Sequence, residues 1–254
     1  MLRGGLQPVV AVGLPNNGKG LERNRSQPMY NAAGILGNRN PGHMEDRRHP
    51  IGKMQGKNSV HASVKTPAGM AALRDVAADD VEAIVEYWFT SSDEFLDFMG
   101  VDRERLGTRE DTRQRLLRAI RTGDPNQTTL ALAITLDGEL AGYTLLNRHT
   151  PETNYGHWHI TVPQLRSSGI STALYSYRIK TYFDLVPIER LIHQTRTRNT
   201  AVNRMLDKYV SVAETCHLDH PDGVALPGEF HLRYVQRKDI PQLFARAAEL
   251  RNSK

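Results

Sequence analysis

The sequence predicts a layered α/β domain, with a mixed, mostly antiparallel central sheet flanked by helices, behind a long polar N-terminal extension. Three observations predict it. Two apolar runs, "TTLALAIT" (128–135) and "LAGYTLLN" (140–147), meet around Asp137–Gly138, and Asp-Gly between such runs signals a β-hairpin. The stretch "HITVPQLRSSGISTALYSYRIKTYF" (159–183) sets a strand-like run, a small basic turn and a helix-like run in succession. Helix-period segments precede the hairpin, and strand-like and helix-like runs alternate after the turn.

In chain order, "AALRDV" (71–76) reads as a first strand. Asp79 is positioned to cap a helix over Val81–Phe89, whose Val81, Ile84, Val85 and Trp88 share one face. "SSDEFLDFMG" suggests a short helix stopped by Gly100. Thr108 and Asp111 fit a capping box before "RQRLLRAIRTG", with Gly123 as the stop. The hairpin follows, then "YGHWHITV" (155–162) as a third antiparallel strand, and a helix over Ser171–Phe183. "RLIHQT" (190–195) is a strand, "AVNRMLDKYV" (201–210) a helix, "SVAETCHL" a strand if it pairs, "EFHLRYV" (229–235) the last strand, and Asp239–Leu250 a closing helix.

The chain has 254 residues and a net charge of +5. Residues 1–69 hold 10 Lys+Arg against 3 acids, so they carry +7 and the remainder −2. The basic balance therefore belongs to the extension, and the acidic remainder leans toward a cationic partner for the folded part. One cysteine, Cys216, excludes an intrachain disulfide and suits a reducing compartment. No apolar run nears the ~20 residues of a membrane helix, and "LQPVVAVGL" lacks the form of a signal peptide. The expected location is the cytoplasm, without a membrane partner.

The expected organisation is a disordered basic extension over 1–69, a folded domain over 70–236, and a C-terminal helix and tail over 237–254. "MAALRDVAADDVEAIVEYW" reads as the start of that domain, and Met70 as an alternative start of translation. "GLPNNGKG" (13–20) nearly matches a phosphate-binding loop, but Gly20 replaces the hydroxyl residue that would hold Mg²⁺ and no helix pattern follows. The extension also lacks regular aromatic interleaving, so nucleic acid is not the expected partner. A nucleotide or nucleic-acid binder acting through this extension is kept as the rival class.

A strand, a turn rich in backbone N–H groups and a helix N-terminus together make an anion site. The turn Arg166-Ser-Ser-Gly169-Ile-Ser171 resembles the pyrophosphate loop of the GNAT superfamily of N-acyltransferases, [QR]-x-x-G-x-[GA] between a strand and a helix. The resemblance covers about residues 70–236 and departs from the pattern at Ser167 and Ser171, where glycine is usual. "RTRNTAVNRMLDKYV" is similar to a later GNAT segment at Asn199, Asn203 and Lys208, though not at Val210-Ser211. The resemblance implies a GNAT-like fold and acyl transfer, most simply of an acetyl group from acetyl-CoA to a primary amine by direct attack. A degenerate member that only binds acyl-CoA is the alternative. A small-molecule or peptide amine is the implied acceptor, a homodimer stays open, and no metal is implied.

The same resemblance assigns the coenzyme site. Leu165, Arg166, Ser167, Ser168, Gly169, Ile170, Ser171 and Thr172 would hold the diphosphate. Backbone groups of Ile160, Thr161 and Val162 would meet the pantetheine and the oxyanion where their strand parts from "RLIHQT". Asn199 would lie near the pantetheine arm, or simply cap its own helix. His157 and His159, two apart and so on one strand face, are the candidate bases; they could equally line a solvent-facing side. Glu152, in the preceding loop, is a further candidate. Tyr209 falls roughly 120° around its helix from Asn203, which argues against it as the acid. "CHLDHPDG" (216–223) has ligand-type residues without ligand spacing and reads as a loop walling the acceptor pocket.

Overall fold

The computed structural model describes residues 59–124 and 126–252. Residues 1–58 of the extension, with the "GLPNNGKG" motif, lie outside the described residues. Eight strands form one sheet in the order β1-β2-β3-β4-β5-β6-β8-β7. They are β1 Val60–Thr66, β2 Gly69–Asp75, β3 Leu130–Leu136, β4 Glu139–Arg148, β5 Thr153–Ile160, β6 Arg190–Arg196, β7 Glu214–Leu218 and β8 Gly228–Gln236. Every neighbouring pair is antiparallel except β5 and β6.

Strand β1 lies upstream of residue 70, inside the stretch expected to lack structure. It is an edge strand in which only Thr66 is buried, yet Val60, Ala62 and Val64 alternate with polar residues, and Ala62 and Val64 pack against the cluster that includes Ile170 and Leu174. The hairpin turn is as expected. Asp137 and Gly138 both have positive φ, 50° and 93°, as a two-residue type I′ connection requires. Asp137 also accepts the Met70 N–H at 2.8 Å, pinning β2 beside the hairpin.

Helices α1 (Ala78–Thr90), α2 (Asp93–Met99), α3 (Arg103–Leu106) and α4 (Arg109–Ala119) separate β2 from β3. Asp79 is not the cap of α1. The cap position is Ala77, whose N–H is accepted by Asp80, itself paired with Arg74. The Thr108–Asp111 box holds α4, and Gly100 ends α2 in the left-handed region. The helix α4 stops at Ala119 rather than Gly123.

Period-two alternation divides β3 between two cores. Ala131 and Ala133 face Val81, Ile84, Val85 and Trp88 of α1. Leu130 and Leu132 face Tyr175, Ile179, Tyr182 and Phe183 of α5 (Ile170–Leu185). Helix α6 (Thr200–Leu206) and α7 (Ile240–Asn252) add Met205, Leu206 and Leu243 to that second core. Within α7, Leu243 also accepts a buried hydrogen bond from Ser176 of α5 at 2.9 Å. No helix among the described residues is long and apolar enough to cross a membrane.

Candidate active site

The one parallel pair is short. Strands β5 and β6 match only at Thr153–Arg190, Asn154–Leu191 and Tyr155–Ile192. Beyond that they diverge, and a side-chain hydrogen bond from His193 Nδ1 to the Gly156 carbonyl at 2.9 Å, with the Trp158 ring edge-on to His193, bridges the start of the gap. A cleft of about 530 Å³ opens there, lined from both faces of the sheet.

Pairing of β5 with β4 decides which backbone groups face the gap. Thr161 donates to the Ala141 carbonyl at 3.0 Å, so it, His159 and His157 turn their main-chain groups toward β4. Those of Trp158 and Ile160 turn toward the gap, as the Gly156 and Ile160 carbonyls show by meeting His193 and Arg166. The expected role of Thr161 as an N–H donor to an oxyanion is therefore corrected: its N–H already has a partner.

The turn before α5 begins with a 3₁₀ turn, Pro163–Leu165. The N–H groups of Leu165, Arg166 and Ser168 bond to the carbonyls of Val162, Pro163 and Leu165 at 3.0, 3.1 and 3.2 Å. These three N–H groups, expected as anion donors, are consumed in shaping the turn. Ser167 and Gly169 have φ of 69° and 88°, and Gly169 is the N-cap of α5. Ile170, Ser171 and Thr172 form the first turn, where N–H groups have no intrahelical partner; the first helical bond is Ala173 to the Gly169 carbonyl. The hydroxyl of Ser168 is buried without a partner at the same spot. An unbonded first helical turn, a glycine cap and an orphaned hydroxyl, all on the cleft wall, fit a diphosphate.

Arg166 does not extend beside these groups. Its Nε lies 3.4 Å from the Ile160 carbonyl and its guanidinium 4.1 Å from the Phe95 ring centroid, across the cleft on α2. Asn199 caps α6 through the Val202 N–H at 3.2 Å and also lines the cleft. Asn203 is structural, bonded to the Arg196 carbonyl and to the fully buried Arg233.

On the opposite face of β5, His157 and His159 meet, Nδ1 to Nε2, at 3.2 Å. His159 Nδ1 in turn lies 3.2 Å from the Tyr87 hydroxyl of α1, which also reaches the Met99 sulfur at 3.6 Å. Tyr143 stacks on the His159 ring and Trp88 meets it edge-on, while Tyr155 stacks on His157. Both histidines keep some surface on the cleft, yet the protein around them is dense enough to push their pKa values down: His157 to about 4, by desolvation and then the Arg178 charge, and His159 well below the usual value. Both are neutral at pH 7. Desolvation likewise raises Tyr87 to about 12, so its hydroxyl stays protonated. Tyr87 was not singled out from the sequence, although it stands three residues after Ile84 on the buried side of α1.

Glu152 is not brought to this cluster. It is exposed in the β4–β5 turn, at the paired end of β5, where its side chain meets Thr150 and its carbonyl accepts the Arg190 N–H. Tyr209 donates to the carbonyl of the cleft-lining Thr172 at 2.7 Å and stacks on Tyr175, without itself lining the cleft. In the "CHLDHPDG" stretch, Asp222 is engaged by His149 at 2.6 Å and Gln194 at 2.5 Å. Cys216–Leu218 of that stretch belong to β7 rather than to a loop. The loop after them reaches the cleft at Gly223, Val224 and Ala225, where the Val224 carbonyl accepts the Asp102 N–H at 2.7 Å and the Leu226 N–H donates to the Gly100 carbonyl at 2.8 Å. Among the described residues, no three His, Cys, Asp or Glu side chains gather as a ligand set.

No family model matches the sequence, and no curated protein is similar to it. Solved structures are similar in fold. RimJ of Mycobacterium smegmatis, in complex with CoA-disulfide, aligns over 77% of this chain and 96% of its own at 18% identity, with a TM-score of 0.59. A GNAT-family acetyltransferase from Bacillus anthracis aligns over 71% and 99% at 19% identity and 0.51. The Microcin C7 self-immunity acetyltransferase MccE, in complex with acetyl-CoA and AMP, aligns over 68% and 98% at 16% identity and 0.51. The chain has the GNAT N-acyltransferase fold.

Proposed function

We propose that this GNAT-fold chain is an acyl-CoA-dependent N-acyltransferase that moves an acetyl group from acetyl-CoA to a primary amine. One observation carries the reading: the gap left by β5 and β6 and the unbonded first turn of α5 open onto the same cleft. The similar structures that hold CoA or acetyl-CoA add support.

In this reading Gly169, Ile170, Ser171 and Thr172 present N–H groups to the diphosphate, where the helix dipole favours negative charge. The hydroxyl of Ser168 and the backbone of Ser167 complete the cradle. The gap-facing groups of Trp158 and Ile160 hold the amide-bearing arm beside Asn199, and the Ile160 N–H polarises the carbonyl under attack. Val162 serves as a backbone anchor of the turn, through its carbonyl. Acetyl-CoA supplies an activated thioester carbonyl.

The amine must be neutral to attack, and the N–C bond forms as the C–S bond breaks, so one proton leaves the nitrogen and one can return to the thiolate. Tyr87, His159 and His157 form a wire with two registers. In one, Tyr87 donates to His159 and His159 to His157. In the other, His157 donates to His159, His159 to Tyr87, and Tyr87 to the Met99 sulfur. Only the first register can take a proton from an amine at Tyr87. The Tyr87 oxygen receives it as its own proton passes to His159 Nδ1 and the His159 Nε2 proton passes to His157 Nδ1, whereas in the second the one free lone pair is the buried Nε2 of His157.

The test is release of CoA thiol from acetyl-CoA against a panel of primary amines. Amine-dependent release supports the reading. Bound acetyl-CoA with no release above buffer hydrolysis for any amine would contradict it and leave a coenzyme-binding protein without turnover.

A further inference from the structure

The acceptor half of the cleft has an unexpected charge. Among the described residues lining the whole cleft there is no Asp or Glu, while Arg166, Arg196, Arg204 and Lys208 all reach it. The net −2 of residues 70–254, which leans toward a cationic acceptor, is carried elsewhere. The nearby carboxylates are engaged: Asp97 with Arg103, and Asp222 with His149 and Gln194.

Arg196 is the cation on the acceptor side. It is the last residue of β6, and strand alternation sets it on the face of Gln194 rather than on the α5 face of His193 and Thr195. Its guanidinium makes one hydrogen bond, to the Leu226 carbonyl at 3.0 Å, and lies 5.7 Å from the Phe230 ring centroid. It has no carboxylate partner among the described residues. Its slot is built. A Cβ on Gly100 would stand 2.8 Å from Arg196 Cδ, and one on Gly228 would stand 2.6 Å from its Nη2. Both glycines have positive φ, 72° and 156°, so two backbone turns approach the side chain as only glycine allows. Desolvation, and then Arg198, lower its pKa, as for a cation lacking a counter-charge. The same cleft is lined as well by aromatic and apolar side chains, Phe95, Phe98, Met99, Tyr155 and Val224.

We propose that the acceptor is an anionic amine, a compound bearing a primary amino group and a carboxylate or phosphate, whose anion pairs with Arg196 while the amine reaches Tyr87 and His159. A fork of guanidinium donors with most positions open suits either oxyanion. A polycation would meet Arg196 and Arg166 with nothing to neutralise its second charge, and like charges in a partly desolvated cleft repel. The inference rests on the acyltransferase reading for its turnover arm, not for its binding arm.

The turnover arm compares amines differing only in the anion: L-phenylalanine with L-phenylalaninamide, and O-phosphoethanolamine with ethanolamine, with spermidine as the polycation. The expected result is at least tenfold higher kcat/KM for one anionic member over its neutral partner, and the preferred pair identifies carboxylate or phosphate. Arg196→Leu should erase that ratio, Arg196→Lys should retain part of it, and the KM for acetyl-CoA should stay within twofold. Preference for spermidine or the neutral members, or a ratio unchanged in Arg196→Leu, overturns the proposal. The binding arm titrates phenylacetate and phenyl phosphate, which cannot accept an acyl group, into the protein. Saturable binding weakened at least tenfold in Arg196→Leu supports the proposal even if no amine is acetylated; no binding of either anion, or equal binding to both proteins, contradicts it. Should Arg196→Leu not fold, Arg196→Gln takes its place in both arms.

Discussion

His157 and His159 stand on one face of β5 and meet directly, Nδ1 to Nε2 at 3.2 Å, and His159 carries the chain on through its Nδ1 to the Tyr87 hydroxyl. The pair is thus a connected, uncharged unit inside an aromatic shell, and its members act together.

That connection predicts non-additive kinetics. His159→Gln should lower kcat by about 10²-fold, the low end of what a positioned acid–base group contributes. The His157→Gln/His159→Gln double variant should fall little further, because either change already breaks the wire. The KM for acetyl-CoA should not move. Multiplicative losses in the double variant would mean two independent groups.

The same burial predicts a pH-dependent stability. In the unfolded chain both histidines titrate near the usual 6.5; in the folded protein His157 titrates at about 4 and His159 well below 6.5. Between those values the unfolded chain binds more protons, so stability is full above about pH 6.5 and is lost as the pH falls toward 4. Urea midpoints between pH 7 and 4 should drop, and the double variant should drop less steeply. His193, also depressed to about 3 by desolvation first, remains in that variant and keeps some slope. An unaltered slope would show that the pair does not carry the effect.

Gly142 stands opposite Ile160, and a Cβ there would clash with the His159 carbonyl. Gly142→Ala should cost about 2 kcal/mol by forcing β4 and β5 apart, and should slow turnover by moving the histidine pair. A variant with a wild-type urea midpoint would contradict this.

Arg178 is 3% exposed, with Nε and one terminal nitrogen unpartnered, and its guanidinium lies 3.9 Å over the Trp158 ring. A buried cation without a counter-charge is poor support for a fold. Arg178→Met should be as stable as the wild type or more so, by up to about 2 kcal/mol. It should also raise the pKa of His157, which Arg178 depresses, visible in the ring's proton NMR titration. Marked destabilisation would show that stacking on Trp158 outweighs desolvation.

Much of this architecture was legible in the sequence, for local reasons. The hairpin at Asp137–Gly138, the Thr108–Asp111 box and the left-handed Gly100 are fixed by residues within four positions of each other. Strand β1 carries a weak period-two pattern at Val60, Ala62 and Val64, which its small apolar residues and the polar, basic stretch around it mask. Within the site, the position of the turn could be read from Gly169, but not which of its N–H groups stay free; Leu165, Arg166 and Ser168 lose theirs to a 3₁₀ turn that no single residue type announces. Glu152 read as a candidate because loops adjoin sites, yet β5 meets β6 at that end and parts at the other. Tyr87 joins His159 across 72 residues, a contact set by the packing of α1 on the sheet. The cleft's positive lining was likewise hidden, since net charge averages over surfaces that never meet.

Ser171→Asp tests the central claim most directly. Ser171 is the second residue of α5, where an acidic side chain favours the helix and so preserves the fold, while its charge opposes a diphosphate on the same N–H groups. Titration calorimetry of acetyl-CoA should show saturable binding to the wild-type protein and binding at least tenfold weaker to Ser171→Asp at an unchanged melting temperature. No heat with the wild-type protein, or equal affinity for both, would contradict the account.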